Sequence, residues 1–167
     1  MKKLLLTLTF VVLIFALLTG CAGTVPQPEV KKGEFDFSVT YELNGEIKTV
    51  SGVYVCEYNG IDQALDGGPH RDWNGYIQGG KMDEHIEIGF TEDGGTIILN
   101  LAFNPDYFMG EDLEGIMDVP APELMIQYPY DELGGMQLIR EPEIIEENYS
   151  AKIIGYEYDE PIENSFR

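Results

Sequence analysis

The chain has 167 residues, with 30 Asp and Glu against 10 Lys and Arg, for a formal charge of −20. That balance excludes nucleic acid as a partner, because neutralising phosphates needs clustered Lys and Arg. Anionic headgroups and phosphate-bearing polymers would be repelled for the same reason, leaving the acids as a solvated face or as a shell that attracts divalent cations or a basic partner.

Lys2 and Lys3 give a short cationic start, and an apolar run of 15 residues follows from Leu4 to Leu18, relieved only by Thr7 and Thr9. The run falls short of the roughly 20 residues that cross a bilayer core. It closes on Leu18-Thr19-Gly20-Cys21. A positive start, a short apolar stretch and small residues before a cut are the marks of a secretory signal. With a cysteine directly after them, residues 2 to 21 resemble the bacterial lipoprotein signal and its lipobox. The resemblance implies removal of residues 1–20, a thioether-linked diacylglycerol on Cys21, acylation (palmitate among the chains) of the new amine, and a place on the extracytoplasmic side of the cell membrane. Each buried methylene contributes about 0.8 kcal/mol, so two or more acyl chains anchor stably where one does not.

The chain beyond the cut, Cys21 to Arg167, has 147 residues. It is expected to form one domain burying about 68–70% of its unfolded surface. With Lys2 and Lys3 gone it keeps 8 basic against 30 acidic residues, a charge of −22. If lipid consumes Cys21, Cys56 has no intrachain disulfide partner, and in Val53-Tyr54-Val55-Cys56-Glu57-Tyr58 it reads as a small buried hydrophobe on a strand.

Residues 21–33 read as the lipidated Cys and a short tether with Pro26, Pro28 and Gly33. Residues 34–167 are then expected to be the folded domain. Phe35, Phe37, Val39, Tyr41 and Leu43 alternate with Glu34, Asp36, Ser38, Thr40 and Glu42. That predicts a strand with one dry and one wet face, the mark of an antiparallel sheet. Asn44-Gly45 predicts a hairpin, because both residues tolerate positive φ. The return strand runs from about Glu46 to Tyr58, with a change of phase near Ser51-Gly52 that suggests a bulge or a stretch covered on both faces. Asn59-Gly60 predicts a second hairpin into Ile61, Gln63 and Leu65, and Gly67-Gly68-Pro69 a break.

Further strands are expected at Asp72–Gln78, Ile86–Phe90, Thr96–Phe103, Glu123–Tyr128, Met136–Ile139 and Ala151–Tyr158. One helical turn is expected at Asn104–Met109, capped by Asn104, with Pro105 first and Gly110 closing it. Glu111–Pro122 reads as a loop. No segment shows helical periodicity over ten residues. The pattern predicts an all-β fold, a single antiparallel sandwich of about eight or nine short strands, with a small barrel as the other solution.

Five groups of residues can carry chemistry. Asp106, Glu111, Asp112, Glu114 and Asp118 form an acidic stretch that calcium could use, although no EF-hand spacing is present. His70-Arg71-Asp72 with Trp73 offers a base beside a carboxylate, but sequence neighbours on a strand point to opposite faces, and Trp73 is expected in the core; His85 with Asp83 and Glu84 is discounted likewise. Ser38, Ser51, Ser150 and Ser165 lack a nucleophile elbow or a neighbouring base, and the acidic surroundings disfavour a reactive Cys56. Paired carboxylates meet glycosidase spacing by chance in a chain with 30 acids. Tyr128-Pro129-Tyr130 and Tyr156-Glu157-Tyr158 can present rings to a sugar or peptide, though tyrosine on strands more commonly half-buries its ring. Metal-thiolate, phosphate-loop and dinucleotide motifs are absent.

Thr40-Tyr41-Glu42-Leu43-Asn44-Gly45, Tyr54-Val55-Cys56-Glu57-Tyr58 and Pro161-Ile162-Glu163-Asn164-Ser165-Phe166 are similar to segments of small lipoproteins of Gram-positive bacteria, a group with no established activity. The reading is a membrane-anchored extracytoplasmic lipoprotein, a non-enzymatic surface module for a protein or glycan partner. No cofactor, catalytic residue or metal ligand is assigned, and the one modified residue is Cys21. The alternatives are an extracytoplasmic carboxylate-dependent hydrolase and a calcium-dependent structural protein of the envelope.

Overall fold

A computed structural model of the chain describes residues 25–64, 68–79, 84–111, 115, 117, 120–129 and 137–166. The signal segment and Cys21 lie outside the described residues, as do Leu65, Asp83, Asp112, Glu114, Asp118, Tyr130 and Met136. The strands are β1 (Lys32–Leu43), β2 (Glu46–Ala64), β3 (Gly68–Ile77), β4 (His85–Phe90), β5 (Thr96–Asn100), β6 (Glu123–Gln127), β7 (Leu138–Ile139) and β8 (Ala151–Tyr158). Two short helices join them: α1 (Pro105–Phe108) and α2 (Pro142–Tyr149). They form two four-stranded antiparallel sheets, ordered β3-β2-β1-β8 and β4-β5-β6-β7. The fold is all-β, as the alternation predicts.

The alternation of β1 places Phe35, Phe37, Val39, Tyr41 and Leu43 in one core cluster with Ile97, Leu99 and Ile126 of the second sheet. Aromatic rings join the two halves. Tyr54 stacks on Phe103 at 4.2 Å, Phe37 meets Phe103 edge-on at 5.1 Å, and Phe35 tilts against Phe108 at 4.8 Å. Such pairs contribute about 0.5–1.5 kcal/mol each beyond area burial.

The Asn44-Gly45 hairpin forms, with φ of 54° and 80° at its two residues. Asn59-Gly60 does not turn. β2 runs straight through it to Ala64, and the register against β3 slips between Tyr58 and Gly60. Gly60 has φ 112°, so its positive φ serves a bulge instead of a hairpin. At Ser51-Gly52 the pairing with β1 is unbroken, so no bulge occurs there. The mixed phase is explained by Tyr54, Val55 and Cys56, all buried, on a stretch covered on both faces. β5 stops at Asn100, short of the expected Phe103, because Ala102 turns left-handed at φ 52° and its N–H donates to Asn100 Oδ1 at 3.3 Å. Of the expected Met136–Ile139 strand, Leu138 and Ile139 pair with β6 and Gln137 O accepts from Tyr128 N at 3.0 Å, while Met136 lies outside the described residues.

α1 forms as the sequence dictates. Asn104 Oδ1 accepts from the N–H of Asp106 (3.0 Å) and Tyr107 (3.4 Å), and Pro105 opens the turn. α2 was not expected. Pro142 starts it, Ile145 buries its inner face, and Ser150 ends it left-handed at φ 50°, feeding β8 without a linker.

Candidate functional site

Residues 25–33, most of the expected tether, lie beside the end of the chain. Pro28 bridges Phe166, the N–H of Glu29 donates to Ser165 O (2.8 Å), and Asn164 both accepts from Val30 N and donates to Val30 O (3.0 Å each). A clasp of side chains completes this corner. Arg71 on β3 forks onto both carboxylate oxygens of Glu111, Trp73 Nε1 donates to Glu111 Oε1 at 2.9 Å, and Arg71 Nη1 donates to Pro26 O at 3.0 Å. The guanidinium lies 3.8 Å over the Phe166 ring. The side chains of Arg71 and Glu111 are only 12% and 13% exposed.

Of the acidic stretch, Glu111 serves Arg71, while Asp112, Glu114 and Asp118 lie outside the described residues; among the described residues no three His, Cys, Asp or Glu are grouped to hold a metal ion. Trp73 is in the core, while Arg71 faces the clasp, and exposed His70 points Nε2 at Asp62 Oδ2, 4.0 Å away. Asp106, half-buried in α1, has its carboxyl pushed above the ordinary range by burial first and by the charge of Glu111 second. His85 sits exposed opposite Asn100 on the edge strand β4.

Cys56 is free and fully buried. Burial, reinforced by the charges of Asp106 and Glu84, pushes its thiol up to about 12, which removes the thiolate that nucleophilic chemistry needs. The tyrosines divide. Tyr158 packs on Phe103 and donates to Leu101 O (3.1 Å), and Tyr128 donates to Asp93 (2.8 Å) while bonding Tyr149 (2.9 Å). Tyr156 alone among these is largely open, at 46% exposure.

One pocket among the described residues is one that sequence reading missed. It measures about 330 Å³ and lies where α2 closes over the edges of β6 and β8. Leu124, Ile145, Ala151 and Ile153 make its apolar floor. Its rim carries two ion pairs, Arg140–Glu123 (3.5 Å) and Lys152–Glu146 (2.9 Å), and Lys152 also approaches Glu42 at 3.7 Å. Two of the chain's ten basic side chains thus converge on one opening. The volume lies within the range of about 300–1,000 Å³ for small-ligand sites, and a mostly apolar lining with a few placed polar groups is their usual chemistry. No sequence signal of α2 exceeded eight residues, so the wall of this pocket was not legible in advance. Among the described residues no helix is long and apolar enough to cross a membrane.

Comparison with protein-family models, with curated proteins and with solved structures finds no match to this chain.

Proposed function

We propose that this chain is a lipid-anchored extracytoplasmic binding module, held on the outer face of a membrane through Cys21 and acting without catalysis. The anchor is supported by residues 2–21, whose charge, apolar length and terminal Leu18-Thr19-Gly20-Cys21 agree. The binding role is carried by one observation, the 330 Å³ pocket beneath α2 with its apolar floor and paired charges. Glu123 and Glu146 each pair with a cation at the rim, so the opening presents both signs of charge to a ligand.

The test is thermal unfolding of the full chain in detergent micelles against a panel of envelope components: small amphiphiles, peptides and oligosaccharides. A ligand at 100 times its Kd adds about 2.7 kcal/mol, which raises Tm by roughly 5–10 °C at this size. Such a rise in the native chain, lost in a Glu146→Trp variant that fills the mouth, is the expected outcome. A panel that raises Tm in neither protein, or in both alike, refutes the pocket's role.

A further inference from the structure

A second surface, lined by the β8 residues that follow those of the α2 pocket, carries its own signature. On the outer face of the first sheet the cross-strand pairs Ser38–Ser51 and Thr40–Thr49 set four small hydroxyl side chains side by side. Thr40 and Thr49 hydrogen-bond each other at 3.1 Å. On the other flank, β8 places Gly155 opposite Thr40 and Glu157 opposite Ser38, with the register slipping after Thr40. Between these flanks runs an open trough of about 520 Å³, lined by Ser38, Thr40, Thr49, Ile154, Tyr156 and Glu157 as well as Gly155.

Gly155 is the informative residue. It sits inside a strand, where glycine weakens pairing and commonly marks a bulge or a close approach by a ligand or another backbone. Its φ lies outside the left-handed region, so the backbone does not require glycine, and a Cβ built on it would meet nothing within 4 Å, so packing does not require it either. What the missing side chain produces is the trough, with Thr40 as its floor.

We propose that this trough binds a neutral glycan chain. The proposal deepens the surface-module reading, on which it rests for the extracellular location of its partner. The lining decides the ligand class. No cation lines the trough, and the chain carries −20, so a phosphate- or sulfate-bearing polymer finds no counter-charge and a repelling field. A basic peptide would meet hydroxyls and one carboxylate, with too little charge to hold it. Hydroxyls both donate and accept, and those of Thr40 and Thr49 keep capacity after bonding each other. Glu157 accepts from ligand hydroxyls, while the half-exposed Ile154 offers apolar surface to sugar C–H faces. A trough open at its face lets a polymer lie along it.

The experiment is calorimetric titration of the full chain in micelles with linear hexamers of glucose and of N-acetylglucosamine, beside dextran sulfate, polylysine and buffer dilution. Saccharide binding is expected, weakened about tenfold or more by Gly155→Leu, which fills the trough without touching the core. Thr49→Val, at an exposed position, is expected to weaken it about threefold or more, the value of one net hydrogen bond. The Thr49 variant decides the matter if Gly155→Leu fails to fold. No binding of either hexamer overturns the proposal. So does saccharide binding that both variants leave unchanged, trough-dependent binding of a charged polymer instead, or concentration-dependent dimerisation through this face. Purified protein is titrated, so the result stands whether or not Cys21 carries lipid.

Discussion

Replacing Glu111 by Ala removes the acceptor of both Arg71 and Trp73 at once. Breaking a buried ion pair from one side leaves an uncompensated charge and costs about 3–5 kcal/mol. The pair is part-buried and Arg71 retains two partners, Pro26 O at 3.0 Å and the Phe166 ring at 3.8 Å, so the lower end applies, near 3 kcal/mol. For a chain of this size that corresponds to a fall in Tm of about 6–12 °C. Urea unfolding, followed by fluorescence of the single Trp73, measures it directly. The double variant Arg71→Met with Glu111→Leu removes both charges together and is expected to recover most of the loss, because the cost lies in the orphaned guanidinium rather than in the missing bond. A single-variant loss below about 0.5 kcal/mol, or a double variant worse than the single, would refute the clasp as a part-buried, mutually dependent unit.

Three further outcomes follow from the same geometry. Cys56 in the native protein is expected to resist iodoacetamide at pH 8 and to react in urea, read by site-resolved mass spectrometry; stoichiometric native labelling would contradict its burial and raised thiol. Gly110→Ala is expected to destabilise by about 1–3 kcal/mol, because φ there is +74° and the new Cβ would lie 2.5 Å from Ile162 O; calorimetry showing no loss would contradict that contact. Asp106→Asn tests the raised carboxyl. Burial holds the folded-state value above the unfolded one, so ionisation penalises the fold as pH rises through the unfolded value near 3.8 and above. The stability of the Asn variant relative to wild type should therefore increase between pH 3 and pH 7, and a flat difference would contradict the shift.

Much of the fold was legible because its signals are local. The period-two pattern of β1 alone settles which residues enter the core, and Asn44-Gly45 settles the first hairpin. The same local logic misled at Asn59-Gly60. The dipeptide supplies positive φ either to a turn or to a bulge, and only pairing of Tyr58 with Trp73 and Gly60 with Asp72 decides between them. α2 escaped notice because eight residues carry too little periodicity, and its place is set by Ile145 joining one core cluster with Leu124, 21 residues earlier. The pocket inherits that invisibility, since its walls come from β6, α2 and β8. The Arg71–Glu111 clasp is likewise non-local, joining residues 40 apart with Pro26 and Phe166. The trough combines both kinds of signal. Ser38 and Thr40 on a wet face were readable, whereas Gly155 opposite Thr40 depends on a strand that returns from the end of the chain.

The anchor is tested most directly by mass spectrometry of the N-terminal peptide of the protein extracted from its native membrane. The account predicts a chain beginning at Cys21, its sulfur bearing diacylglycerol, and a Cys21→Ala variant that loses the lipid and the membrane. A chain recovered intact from Met1 with an unmodified Cys21 would contradict it.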